Sequence, residues 1–189
     1  MRNLLLLLSF LTVLAALGQS KAEVEERIEA TDFPPQARRF AENLFAKEKI
    51  HWIKEQNQAG HSYEAKARLS GVKYSLEFDE NGKFEDLEFV VKSRHLAEAV
   101  LQNIEQELED AFQRFKIKKI QEQWSGDQAH LKSSMQQQKK AAALKRRYEV
   151  EVHGKSKGDY ADYEYLFDGV GNFIRRQEIQ ESNHDNFFY

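Results

Sequence analysis

Carboxylates, histidines and clustered lysines are the side chains of this sequence with chemistry to offer. The chain carries 31 acidic residues, 28 Lys and Arg, six His and no Cys in 189 residues. The missing thiol excludes cysteine nucleophiles, disulfides, iron–sulfur clusters and Cys-ligated zinc. His51, His61, His95, His130, His153 and His184 include no pair at metal-ligand spacing and no His-Glu-x-x-His. They read as scattered surface groups, and neither a metal site nor a cofactor is expected. Gly-x-Ser-x-Gly, phosphate-loop and dinucleotide motifs are absent. Among 31 acids some close pair is inevitable, so a pair marks nothing, and no catalytic residue is assigned. Asp79-Glu-Asn-Gly82 has the oxygens to open a calcium loop. An EF-hand loop needs glycine at its position 6, however, and here glycine comes at position 4. A hairpin turn accounts for the same residues.

What remains is binding chemistry. Tyr63, Ala65, Ala67 and Leu69 alternate with Glu64, Lys66 and Arg68, and Lys73, Ser75 and Glu77 continue the polar side. Tyr148, Val150 and Val152 alternate in the same way with Glu149, Glu151 and His153. Period-2 alternation is the mark of a strand with one buried face. With helices covering the apolar side, Glu64, Lys66, Arg68, Lys73, Glu149, Glu151 and His153 line an open sheet face. That face is mixed in charge in the first half and more acidic in the second. It is either an ordinary solvated face or the place where a partner docks. Within Gly158–Tyr165, Tyr163 and Tyr165 fall on core positions, which leaves Tyr160 as the exposed candidate for an interface. Lys139, Lys140, Lys145, Arg146 and Arg147 form a basic run, suited to an acidic partner or to the solvated face of a polar helix.

The elements that must hold these residues are legible as periodicities. Pro34 and Pro35 open a helix carrying Ala37, Phe40, Ala41, Leu44 and Phe45 on one stripe. Strands follow over 50–55, 63–69, 73–78 and 84–91, with Asp79–Gly82 as a hairpin. Leu101, Ile104, Leu108, Ala111, Phe112 and Phe115 predict a second, longer helix over 94–115. A strand over 117–124 comes next. The Gln/Lys/Ala-rich stretch 125–147 reads as a helical excursion with a weak apolar face, or as partly disordered. Strands over 148–152, 162–167 and 173–179 close the chain, with Asp168–Gly171 as a second hairpin and a tail over 181–189. The tail ends in Phe187-Phe188-Tyr189, a docking tag or an edge packed on the sheet.

Arg2 followed by an apolar run from Leu4 to Leu17 is the layout of a signal peptide. Fourteen residues of helix span roughly 21 Å, short of a ~30 Å hydrocarbon core. Ala16-Leu17-Gly18 and Ser20-Lys21-Ala22 offer cleavage boxes, so residues 1–22 are expected to be removed. Export to the periplasm or the exterior follows, with no membrane anchor after cleavage. Processing removes Arg2 and Lys21 but no acid, and moves the net charge from −3 to −5. An acidic exported chain is a poor nucleic-acid binder. The 41% hydrophobic content excludes a disordered chain.

The two halves match piece by piece. Ile50-His-Trp-Ile53 aligns with Ile117-Lys-Lys-Ile120, and Tyr63-Glu-Ala-Lys-Ala67 with Tyr148-Glu-Val-Glu-Val152. Tyr74-Ser-Leu-Glu-Phe-Asp79 aligns with Tyr163-Glu-Tyr-Leu-Phe-Asp168 and Gly82-Lys-Phe84 with Gly171-Asn-Phe173, so that Phe78-Asp79-Glu-Asn-Gly82-Lys83 and Phe167-Asp168-Gly-Val-Gly171-Asn172 form a shared turn. Four matched pieces in one order point to a duplication. The pattern resembles the PepSY-like domains found in tandem in exported proteins of Bacteroidetes-type bacteria. Units of that family look like the β-lactamase-inhibitor-protein fold. The resemblance implies an α+β chain of two repeats, 23–92 and 93–180, each a helical element packed on a roughly four-stranded antiparallel sheet. The second repeat carries the insertion 125–147. It also implies a non-enzymatic protein that binds or inhibits another exported protein. The alternative is an envelope scaffold or small-ligand carrier that uses the cleft between repeats. The sequence names neither the partner nor the oligomeric state.

Overall fold

Two prolines cannot continue a strand ladder, but they suit the first turn of a helix. In the computed structural model, which describes residues 20–21, 24–57, 60–137, 139–156 and 158–179, they open α1, Pro35–Phe45. Ala37, Ala41, Leu44 and Phe45 form its buried face, and the helix stops at Ala46, whose φ is +52°. The second helix, α2, runs over Glu98–Ala111 and buries Val100, Ile104 and Leu108. It is shorter than the expected 94–115, because Phe112 turns to extended backbone and Phe115 already belongs to a strand. Phe112 remains in the core.

Ten strands are formed among the described residues: β1 Ser20–Lys21, β2 Val24–Arg27, β3 His51–Asn57, β4 Gly60–Leu69, β5 Val72–Phe78, β6 Phe84–Val91, β7 Arg114–Gly126, β8 Leu144–Lys155, β9 Tyr160–Asp168 and β10 Phe173–Ile179. They make one sheet, in the order β1-β10-β9-β8-β7-β6-β5-β4-β3-β2. All neighbours are antiparallel except the short β1–β10 pair. The expected two separate sheets do not form. The halves each supply a helix and four consecutive antiparallel strands, but β6 pairs directly with β7, from Asp86↔Ser125 to Val91↔Ile120. An unpaired edge strand attracts another strand, and here each half covers the other's edge. The ladder therefore leaves no cleft between the halves within the sheet.

The two Phe-Asp-x-x-Gly turns are built alike. Asp79 Oδ1 accepts from the N–H groups of Asn81 and Lys83, and Asp168 Oδ1 from those of Val170 and Asn172. In both, the Asp N–H donates to the carbonyl four residues on, at 2.9 Å. Asp79–Gly82 is thus a hairpin turn whose aspartate is used by the backbone.

One side of the sheet carries two core clusters. Phe33 and α1 pack on Trp52, Ala65, Ala67, Leu76, Phe78, Leu87 and Trp124. The α2 helix packs on Ile120, Tyr148, Val150, Val152, Tyr165 and Phe167. The excursion is smaller than expected. Strand β7 persists to Gly126, a short helix α3 covers Leu131–Gln137, and β8 has begun by Leu144. Leu131 and Leu144, fully or nearly fully buried, join the first cluster with Met135 and Ala141 at its margin. The insertion in the second half therefore closes the core of the first. The apolar run 4–17 and the tail 181–189 lie outside the described residues.

Candidate functional site

Residues opposite one another in an antiparallel sheet point to the same side, so the register assigns the other face row by row. One row holds Ile53, Glu64, Glu77, Asp86, Ser125 and Lys145. The next holds His51, Lys66, Ser75, Glu88, Gln123 and Arg147. A third pairs Arg68 with Lys73, and Gln121 with Glu149. Beyond it stand Lys119, Glu151 and Glu164, then His153 with Asp162, and finally Lys155 with Tyr160. The described helices all bury their apolar residues on the opposite side, so this polar face carries no helix layer among the described residues.

The eight residues singled out in the sequence all stand on this face. Glu64, Lys66 and Arg68 are on β4 and Lys73 on β5; Glu149, Glu151 and His153 are on β8 and Tyr160 on β9. They form two groups rather than one, because β4 and β8 are four strand spacings apart, roughly 19 Å. Residues not singled out lie between them: Asp86 and Glu88 on β6, and Gln121 and Gln123 on β7. Alternation of Asp86 and Glu88 with Leu87 and Phe89 is the signal that places the first two there.

The face is less open than alternation implied. Glu64 is 4% exposed, Lys66 7% and Glu149 9%. Long polar side chains at strand spacing lie against one another and against Ile53 and Leu166, which are buried on this same side. They form a layer of their own. The charge distribution also differs from expectation, since the densest acidic group lies in the first half. Glu64, Glu77 and Asp86 are directly opposite across β4, β5 and β6.

Lys66 answers part of that charge. Its Nζ lies 2.8 Å from Glu64 Oε2 and 3.1 Å from Glu25 Oε1. Burial alone would lower the ammonium's pKa, but Glu64 and Glu25 outweigh it and hold the pKa above its ordinary value. Ser75 Oγ donates to Glu64. On β5 and β6 the balance goes the other way. Burial first, then Glu88 and Glu85, push the Asp86 carboxyl up to about 8. Burial, with Glu88 and Asp86 next, raises Glu77 well above the carboxylate range. Glu88 receives Gln121 Nε2 at 2.5 Å and Gln123 Nε2 at 3.1 Å. At the other end of these strands, burial and then Arg68, Lys119 and Lys66 lower the Lys73 ammonium.

The second group is a compact exposed patch. His153 and Tyr160 stack at 5.1 Å with 6° between their planes, and Lys155 Nζ lies 5.8 Å from the Tyr160 ring centre. Asp162 takes His153 Nδ1 at 2.6 Å and Lys118 Nζ at 3.0 Å. Burial alone would raise the carboxyl, but Lys118 and His153 hold it below its ordinary value. Tyr160 is 48% exposed, while Tyr165 is fully buried and Tyr163 packs at the core margin. The basic run does not form a helical patch. Strand alternation sends Lys145 and Arg147 to the polar face, and Arg146 pairs with Glu122 at 2.5 Å on the other side.

This fold occurs in solved proteins. A DUF2874 family protein from Bacteroides ovatus superposes with a TM-score of 0.53 at 11% identity, over 77% of this chain and 87% of its own. A BLIP-like protein from Bacteroides fragilis aligns with a TM-score of 0.48 at 16% identity, over 82% of this chain and 92% of its own. No family model matches the sequence, and no curated protein matches it. The likeness to the Bacteroides ovatus protein is one of fold.

Proposed function

We propose that this protein is an exported, non-catalytic binding module of tandem PepSY-like units, which docks another exported protein on the polar face of its sheet. One observation carries the reading. A single sheet face runs from Glu25 on β2 to Tyr160 on β9, lined by charged and amide side chains and without a helix over it among the described residues. Protein interfaces combine a patterned polar rim with aromatic anchors. The stacked His153–Tyr160 pair supplies an anchor of that kind. The leader-like run 4–17 supports export, and an inhibitor-like role is the specific form of binding that the sequence resemblance favours. Catalysis has no residue assigned to it.

Site-specific photocrosslinking in the native host tests this. A photoreactive residue replaces Arg68, Glu151 or Tyr160 on the polar face, or Glu105 on the exposed side of α2. The expected outcome is one discrete adduct, shared by the face positions and absent at Glu105. Equal labelling at all four positions, or none on the face, overturns the proposal.

A further inference from the structure

The two edges of the sheet are finished differently. On one side β2 presents, apart from Val24, only Glu25, Glu26 and Arg27, charged residues of the kind with which natural edges discourage further pairing. On the other side β10 opens with apolar residues. Val170, Phe173 and Ile174 are 60%, 43% and 42% exposed, and they are three of the six exposed large hydrophobics among the described residues. The only described strand on the outer side of β10 is the two-residue β1, which pairs in parallel at Glu178 and Ile179. This edge therefore accepts a strand. β1 also lies inside the leader-like segment 1–22, and its removal leaves the whole outer edge of β10 without a described neighbour.

An exposed edge of this kind is a template for another strand, and the sequence of β10 favours a second copy of itself. Identical antiparallel strands meet about a two-fold axis through one residue position, because hydrogen-bonded and non-hydrogen-bonded pairs alternate along the ladder. Arg175–Glu178 offers four such centres. Arg175, Arg176 or Glu178 at the centre sets a charge directly against its own copy, which destabilises the pair. Gln177 at the centre sets amide against amide. It also places Arg176 of each strand opposite Glu178 of the other, twice over by symmetry. The bulge between Phe173 and Arg175 lies outside this run, so the ladder is regular over 175–179. In register with β9, Arg176 and Glu178 stand beside Tyr165 and Tyr163 on one side of the sheet. Arg176 Nη1 donates to the Tyr165 hydroxyl at 3.4 Å, and its guanidinium lies 5.9 Å from the Tyr163 ring centre. These contacts hold the guanidinium on the side where Glu178 of a second strand arrives. Pairing of β10 with β2 of another copy would instead leave a free edge at each end and grow without closing.

We propose that the processed protein is a two-fold dimer joined along β10 and centred on Gln177. The inference rests on the export reading, since β1 must leave Glu178 and Ile179 before a second β10 can pair there. Until then the leader strand caps the edge. Residues opposite one another across the seam point to the same side, so the polar faces of the two copies become one.

The full chain is expressed in a secreting host and purified after export, and mass spectrometry reads its N-terminus. Sedimentation velocity at concentrations up to millimolar follows association, with thermal unfolding of each variant to show that it is folded. The processed wild type is expected to reach a dimer and stop there. Glu178→Arg is expected to weaken the dimer about tenfold, because two symmetric attractions become repulsions, and Arg176→Glu/Glu178→Arg to restore it. The double variant lacks the contacts of Arg176 with Tyr165 and Tyr163, so its recovery reports the seam and not those contacts. The chain has no cysteine, so Gln177→Cys carries its only thiol. Oxidation is expected to link that variant into a covalent dimer, since opposite Cα atoms stand about 4.5–5.5 Å apart. Val24→Cys, on β2, is expected not to link. Four results overturn the proposal: a processed wild type that stays monomeric, one that grows beyond a dimer, Glu178→Arg dimerising like the wild type, or Val24→Cys linking as readily as Gln177→Cys. A leader that stays on the exported protein refutes the export reading together with this one, whereas a processed monomer refutes this one alone.

Discussion

Lys66 is the side chain whose removal should disturb the polar face most. Its ammonium and the Glu64 carboxylate are both under a tenth exposed in their side chains and lie 2.8 Å apart. Lys66→Met leaves Glu64 in place with Ser75 as its hydrogen-bond donor and Glu77 directly opposite. Breaking a buried pair by removing one partner destabilises by about 3–5 kcal/mol, because the remaining charge is uncompensated. At 2–4 °C per kcal/mol for a domain of this size, the unfolding temperature should fall by about 10 °C. Thermal unfolding followed by circular dichroism at pH 7, with urea titration, reads the effect. Lys66→Met/Glu64→Leu removes both charges and should recover more than half of the loss. The pH dependence gives a further check. The folded-state pKa of Lys66 is raised, so its contribution is fully present below the unfolded-state value and is lost only as pH rises through the higher folded one. The wild-type contribution is therefore flat from pH 6 to 9. A loss under about 1 kcal/mol, or a double variant no better than the single, would refute the reasoning.

Asp86→Asn should stabilise the protein at pH 8 by about 1–3 kcal/mol. The folded-state carboxyl is raised to about 8, so its unfavourable contribution is full above that pH and is relieved as pH falls. A wild-type stability unchanged between pH 8 and 5 would contradict this. Gly171→Ala should cost at least about 2 kcal/mol in urea titration, because its φ is +89° and a Cβ would sit 2.7 Å from the Val100 carbonyl oxygen. Gly71→Ala has a similar φ, +83°, but open space around it, and should cost only about 1 kcal/mol. Equal losses at the two glycines would remove the packing argument. Leu131→Ala should destabilise by about 2–5 kcal/mol and shift tryptophan emission, since Leu131 shares the first cluster with Trp52 and Trp124.

Local order was legible in the sequence wherever a single period governed it. The alternation of 63–69 places β4, and its sidedness is right at Ala65 and Ala67, which are buried. The Asp79 and Asp168 turns follow from residues whose side chains bond their own backbone two and four positions on. Pairing across the halves was not legible, because alternation identifies a strand but not its neighbour. The β6–β7 ladder joins residues about thirty to forty apart in the chain, and nothing local encodes it. The burial of Glu64 and Lys66 was hidden for a related reason. It arises from Glu25 and Ser75, contributed by β2 and β5. The start of β8 is hidden in the sequence because Lys145, Arg146 and Arg147 are polar on both sides of the strand, with Arg146 held by Glu122 on the apolar side.

The polar face therefore carries more order than folding alone requires. Local choices and global fold usually agree in a natural sequence, and departures concentrate at functional positions. The apolar side obeys that rule, with helix stripes and strand faces meeting in two packed clusters. The polar side departs from it where like charges stand directly opposite: Arg68 with Lys73, Glu151 with Glu164, and Glu64, Glu77 and Asp86 in one line across three strands. A serine or threonine at 77 or 86 would keep the strand and remove the repulsion. Glu64 has Lys66 to answer it, so its presence needs no other account. Burial and acidic neighbours raise both Glu77 and Asp86, and Arg147 offsets this only in part at Asp86. Like charges set directly opposite across strands destabilise a sheet, so folding stability alone disfavours this arrangement.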